Sequence, residues 1–103
     1  MIARIWHGRT PLEKADAYSK FLNARAIPDY CSIPGNMAVH ILRRDDGDTT
    51  HFYTFTLWES LDAIRQFAGS PVDLAKYYPE DQDFLLEFEP HVTHCEVIGS
   101  ASS

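Results

Sequence analysis

The segment 37–58 constrains the fold more than any other part of the chain. Two runs rich in Val, Ile, Thr, Tyr and Phe, 37–44 and 49–58, flank Asp45-Asp46-Gly47-Asp48. Their composition and alternation predict two strands, and the Asp-Gly pair predicts a tight hairpin between them. With Asp46-Gly47 as the central turn residues, Asp45 stands opposite Asp48, Leu42 opposite His51, His40 opposite Tyr53 and Ala38 opposite Phe55. Side chains alternate along a strand, so one face carries Ala38, His40, Leu42, His51, Tyr53, Phe55 and Leu57. The other carries Met37, Val39, Ile41, Arg43, Phe52, Thr54, Thr56 and Trp58. Neither face is polar. Helices can cover one of them, and monomers avoid leaving large apolar patches in water. A second copy of the chain, packed sheet to sheet, is the expected cover for the other. The bulkier set with Tyr53, Phe55 and Leu57 is assigned to the helices, and the face with Val39, Ile41, Phe52 and Trp58 to the partner copy.

The flanking sequence supplies the remaining elements. Ile2-Ala3-Arg4-Ile5-Trp6-His7 reads as a first strand ending at Gly8. Thr10, Pro11 and Glu13 have the spacing of a capped helix start, and Leu12, Ala15, Tyr18, Leu22 and Ala26 form a helical stripe. Pro28 ends that helix or bends its last turn. Ser60 caps a second helix with Leu61, Ile64, Phe67 and Ala68 on one face. A further helical stretch over 72–78, a short turn over 83–88 and a last strand over 91–98 complete the reading. The order is that of a ferredoxin-like βαββαβ α+β domain. Its four-stranded antiparallel sheet has the spatial order four-one-three-two, with two helices on one face. Residues 1–99 form the domain, and 100–103 a flexible tail.

Length and charge narrow the function. A chain of 103 residues holds one domain. A net charge of -6 opposes binding to nucleic acid, and Arg43-Arg44 is cancelled by the aspartates that follow. No apolar run is long enough to span a bilayer. Cys31 and Cys95 are isolated thiols in a chain without a secretory leader, which points to a reduced, cytoplasmic setting.

The opening Ile2-Ala3-Arg4-Ile5-Trp6-His7-Gly8 and the strand-to-helix junction Leu57-Trp58-Glu59-Ser60 resemble the antibiotic-biosynthesis-monooxygenase-like branch of the dimeric α+β barrel proteins. The resemblance implies a homodimer and a small-molecule ligand. Members include cofactor-free oxygenases of quinol-like aromatics and haem-degrading oxygenases. The haem branch carries Asn near the end of strand one, and Trp and His on helix two. This chain has His7, Phe67 and Tyr77 there, so no haem degradation is expected. The cofactor-free branch uses Trp, Tyr, Asn and Arg, which Trp58, Tyr77, Tyr78 and Arg65 could supply.

Chain direction sharpens the site. Strand one ends where strands three and four begin, which gathers His7, His51, His91, His94, Tyr77 and Tyr78 at one end of the sheet. His7, His51 and Tyr78 are expected to line one cavity as catalytic groups, with the histidines as bases and the tyrosine orienting a ligand oxygen. Tyr53, Phe55, Phe67, Tyr77 and His94 are expected to bind the ligand. The histidine spacing is too scattered for a metal site, and no cofactor is expected. The expected function is a small monooxygenase-like enzyme acting on an aromatic or quinol-like molecule. Its alternative is a non-enzymatic binding or interaction dimer.

Overall fold

A computed structural model of the chain describes residues 1–102. Ser103, the last residue of the expected tail, lies outside them. Four strands, β1 (Ile2–Pro11), β2 (Asn36–Asp46), β3 (Thr49–Trp58) and β4 (Thr93–Glu96), form one sheet in the order β2-β3-β1-β4. All its pairings are antiparallel. The expected α+β class and strand order are therefore present.

The first helix departs from its expected start. β1 runs through Gly8 to Pro11, and the Thr10 hydroxyl donates to the Pro11 carbonyl at 3.0 Å instead of capping. Leu12 N donates to Asp48 O at 2.8 Å, which ties this corner to the hairpin. A helical arm then runs over 12–31. It opens on a 3₁₀ turn, continues as α1 (Ala15–Phe21), passes through a π turn at Leu22–Ala26 and ends as α2 (Ile27–Cys31). The π turn sits just before Pro28, which has no N–H to give and whose ring crowds the preceding turn. Pro28 thus bends the arm without ending it. Ala15, Tyr18, Leu22, Ala26 and Tyr30 form its buried stripe.

The hairpin turns one residue later than expected. Asp46 pairs with Thr49, Arg44 with His51 and Leu42 with Tyr53, so Gly47 and Asp48 are the central residues. Gly47 has φ +63°, and the described non-glycine residues all have negative φ. A glycine at the first central position suits the right-handed twist of the strands. The pairing slips by two residues, so both side-chain sets survive intact.

The covered face is the reverse of the expected one. Phe52, Trp58, Trp6 and Arg4 are buried beneath the helices, with Thr50, Thr54 and Thr56 between them. Val39 and Ile41 pack against the same core. The threonines explain the choice. They leave room for rings from the helices and satisfy polar atoms there. Tyr30 Oη meets Thr54 Oγ1 at 3.2 Å, and Trp58 Nε1 donates to Thr56 Oγ1 at 2.8 Å. The face with Ile5, His7, His40, Leu42, His51, Tyr53, Phe55 and Leu57 is the open one. The Val39, Ile41, Phe52 and Trp58 face is therefore unavailable to a partner.

Helix α3 (Leu61–Ala68) starts as expected, with Ser60 Oγ accepting from Ala63 N at 3.2 Å. The expected helix over 72–78 is absent. Its backbone bonds elsewhere: Ala75 N donates to Pro90 O, Val92 N donates to Asp73 O, and Leu74 bridges His91. A single 3₁₀ turn at Pro79–Asp83 follows, in place of the turn expected over 83–88. Cys31 and Cys95 are free and exposed. No helix of the described residues is long and apolar enough to cross a membrane.

Candidate functional site

Two groups of functional side chains stand on opposite faces of the sheet. On the helix side, a small cavity lies between the helical arm, β1, β3 and the segment 76–81. Its walls include Trp6, Tyr18, Tyr30, Thr54, Tyr78 and Asp81. Its free volume of about 20 Å³ admits a single water. A Cβ at Gly8 would come within 2.5 Å of the Trp6 ring, so glycine there lets the indole lie along β1. Trp6 Nε1 is buried and has no hydrogen-bond partner among the described residues. Tyr77 stands edge-on to this indole at 6.2 Å between centroids, but its hydroxyl donates to Glu89 O at 2.5 Å. Burial pushes the Tyr77 hydroxyl up, opposed by the neighbouring Trp6 indole N–H.

Asp81 is the carboxylate of this cavity, only 2% exposed. Tyr18 Oη donates to its Oδ1 at 2.9 Å, and Tyr78 N donates to its Oδ2 at 2.6 Å. Burial pushes the Asp81 carboxyl above the usual range, opposed by these two donors. The Tyr18 and Tyr30 hydroxyls are pushed up chiefly by burial. The outer wall is fastened by Asp29. Its Oδ2 accepts from Tyr78 Oη at 2.6 Å and from Lys76 Nζ at 3.2 Å. Burial raises the Asp29 carboxyl, but these hydrogen bonds outweigh it and leave it below the usual value. Burial and then Asp29 push the Tyr78 hydroxyl up.

Arg4 anchors the same segment from beneath. Its guanidinium donates to Val72 O at 2.7 Å, Leu74 O at 3.0 Å and His94 Nε2 at 3.0 Å. Burial lowers the Arg4 value, and burial followed by the Arg4 charge lowers that of His94. An imidazole nitrogen that accepts from arginine is unprotonated, so His94 acts here as a neutral acceptor. Phe67 stacks on Tyr30 at 4.4 Å, with Lys76 Nζ also 4.4 Å from its ring centre.

The open face holds the second group. His7 Nδ1 lies 2.5 Å from Glu89 Oε2, and His7 Nε2 lies 2.8 Å from His51 Nδ1. His51 Nε2 lies 3.5 Å from Asp46 Oδ2. Tyr53, opposite His7 in the ladder, approaches it at 5.0 Å between ring centroids. Arg9 is held by Glu87 at 2.6 and 3.1 Å.

The sequence therefore places His7 beside His51 correctly, but the single cavity with Tyr78 does not form. His7, His51, Tyr53 and Phe55 are on the open face, while Phe67, Tyr77, Tyr78 and His94 are on the helix side. The split follows from the reversed covering of the sheet. Sequence reading also misses Asp81 and Glu89. Asp81 sits in the acidic run 79–83 that reads as a solvated loop, and its burial depends on Tyr18, 63 positions away. No group of three or more metal-ligating side chains converges among the described residues.

No protein-family model and no curated protein matches the chain. Solved structures do. Rv0793 from Mycobacterium tuberculosis superposes with a TM-score of 0.67 at 20% identity, covering 98% of each chain. A Nitrosomonas europaea protein, provisionally named an antibiotic biosynthesis monooxygenase, gives 0.69 at 17% identity over 96% of this chain and 100% of its own. An arginine-to-serine mutant of MhuD, with two manganese protoporphyrin IX molecules bound per active site, gives 0.65 at 18% identity over the full length of both chains. At these identities the likeness is one of fold. The resemblance read from Trp58-Glu59-Ser60 and the strand order thus has its structural counterpart: the chain carries the fold of the antibiotic-biosynthesis-monooxygenase-like proteins.

Proposed function

We propose that the chain is a monooxygenase-like enzyme that binds a flat, hydroxyl-bearing aromatic of the quinol kind in the helix-side cavity, without haem or metal. The observation that carries this reading is Trp6, whose ring stands on the wall of an aromatic cavity and whose buried Nε1 makes no hydrogen bond among the described residues. A buried polar group without a partner is destabilising, and sites that bind ligands are where such groups persist. A ligand hydroxyl or carbonyl oxygen would accept from it. Asp81, whose carboxyl burial raises above the usual range, is the base that this cavity offers for a phenolic proton. This role replaces the one expected of His7 and His51, which lie across the sheet. In the reaction proposed, a quinol and dioxygen give a hydroxylated quinone and water. The quinol supplies the two electrons that reduce the second oxygen atom. A porphyrin is far larger than the space present, and His7, already held by Glu89 and His51, offers no free axial nitrogen.

The cavity admits only a water, so a ring enters by displacing the wall that Lys76 and Tyr78 fasten to Asp29. Oxygen uptake measured against a panel of quinols tests the activity. Trp6→Phe keeps the ring and removes the donor, and should weaken quinol binding by about 3- to 10-fold, the worth of one hydrogen bond. Binding that is unchanged in Trp6→Phe would place the ligand elsewhere. Binding without oxygen uptake would favour the non-enzymatic reading, to which the small volume of the cavity lends support.

The same proposal includes a homodimer, through the open face rather than the face expected from sequence. Strands of ten residues, as β1 and β3 are, rise ~3.4 Å per residue and lie ~4.8 Å apart. With β2 of eleven residues and β4 of only four, the face presents roughly 570 Å² per copy, and two copies bury about 1,100 Å², just under a standard interface. Leu42 is 47% exposed on this face, beside half-buried Ile5, Phe55 and Leu57. Sedimentation at micromolar concentration should give about twice the chain mass of 11.7 kDa. Leu42→Lys with Phe55→Lys should return it to the monomer, and a wild-type monomer would refute the dimer.

A further inference from the structure

Two imidazoles bonded ring to ring allow few proton arrangements, and on the open face those few fix the chemistry of the pair. Glu89 Oε2 lies 2.5 Å from His7 Nδ1, and a carboxylate only accepts, so His7 Nδ1 carries a proton. His7 Nε2 and His51 Nδ1, 2.8 Å apart, share one proton between them. When the pair is neutral, His7 has no second proton to offer. His51 Nδ1 is then the donor, and His51 Nε2 is a bare lone pair. When the pair gains a proton, the charge can sit on either ring. In both cases His51 Nε2 carries the N–H, facing Asp46 Oδ2 at 3.5 Å. The pair therefore exchanges its proton through one atom.

The surrounding charges leave this atom free. Glu87 is engaged by Arg9 through two hydrogen bonds. Arg44, opposite His51 in the ladder, lies 3.8 Å from the same Asp46 carboxylate. Tyr53 meets His7 through its ring. Asp46 itself is largely exposed and stands at the hairpin end of the sheet, so the pair keeps a path to solvent beside the Ile5, Leu42, Phe55 and Leu57 patch proposed to meet the second copy.

We infer that Glu89, His7 and His51 form a relay that makes His51 Nε2 a proton-accepting atom on the open face, suited to a weakly acidic O–H or N–H ligand. Glu89 and His7 are its positioning residues: the carboxylate sets the tautomer of His7, and His7 sets that of His51. The inference does not depend on the helix-side cavity or on oxygen chemistry, and its test needs neither.

Nitrogen-resolved NMR of the histidine rings reads tautomers directly. At a pH where both rings are neutral, His7 and His51 should both be in the Nδ1–H form. The exposed His40 and His91 should show the Nε2–H form that free histidine favours. Glu89→Ala should return His7 and His51 toward Nε2–H. Glu89→Gln, whose amide oxygen still accepts, should retain the wild-type pattern. A merely structural Glu89 would not discriminate between these two variants, and the backbone amide spectrum reports whether each is folded. Phenol, as the probe, should shift the His51 Nε2 resonance in the wild type more than in Glu89→Ala. His51 protonated on Nε2 at that pH, a pattern unmoved by Glu89→Ala, or no response of His51 to phenol would overturn the assignment.

Discussion

Replacing Arg4 by Ala is expected to destabilise the fold by about 3–4 kcal/mol, a large share of what a small domain holds. Arg4 is 2% exposed, and its guanidinium bonds two backbone carbonyls and one imidazole of a segment that has no regular structure of its own. Without it, Val72 O, Leu74 O and His94 Nε2 lose their donor together. Each buried acceptor left alone costs about 1–3 kcal/mol, reduced where water can follow. Arg4→Met should recover part of the loss by filling the space, without replacing the donors. Arg4→Lys should do little better, since an ammonium cannot span three acceptors held by a planar fork. Urea unfolding gives the magnitude. Hydrogen exchange gives the location, because the amides of Ala75 and Val92, bonded to Pro90 O and Asp73 O, should lose protection before those of β3. A loss under about 1 kcal/mol would show that the segment is held by other means.

Arg4 also marks where the sequence stops being legible. Strand order, the Ser60 cap and the stripe from Ala15 to Ala26 all follow from local patterns, and each is present. The covering of the sheet does not. Bulk favours putting Tyr53, Phe55 and Leu57 beneath the helices, yet the helices take the face with Thr50, Thr54 and Thr56. What decides is complementarity between those small polar side chains and the incoming Tyr18, Tyr30 and Phe67, which lies on no single element. The irregular crossing 69–78 is illegible for the same reason. Its backbone partners are Arg4, Pro90 and Val92, and a helical pattern of Val72, Ala75 and Tyr78 carries no trace of them.

The candidate site divides along the same line. Antiparallel pairing alone brings His7 near His51, so that contact is readable from chain direction. Tyr78 groups with them in sequence because it precedes the last strand, but it reaches the sheet from the helix side, through Asp29 and Asp81. A one-face error in the covering separates catalytic candidates completely, since alternate residues of β1 and β3 point to opposite layers.

Asp81 should make the protein respond to acid in the sense opposite to most paired carboxylates. Its folded value is raised above the ordinary 3.8, chiefly by burial. In the window between the unfolded and folded values the folded chain binds more protons, so stability falls as pH rises through that window. Acidification from neutral pH should therefore relieve the Asp81 penalty, beginning at its folded value and ending below 3.8. Asp29, Asp45 and Glu87 are lowered and work the other way, losing their contribution as pH falls through their folded values. The Asp81 component is isolated by comparison with Asp81→Asn. Asn can accept from the Tyr78 amide with its oxygen and donate to the Tyr18 hydroxyl with its nitrogen, so both bonds survive without a buried charge. Asp81→Asn should thus be neutral or stabilising at pH 7. Its margin over the wild type should shrink as pH falls toward 4. Asp81→Ala is the contrast: it strands the Tyr18 hydroxyl and the Tyr78 amide beside a new void, and should cost about 2–4 kcal/mol. Urea midpoints for the three proteins between pH 7 and pH 4 provide the measurement. A margin between Asn and Asp that is independent of pH would mean that Asp81 is not raised at all, and its proposed role as the base of the cavity would fail with it.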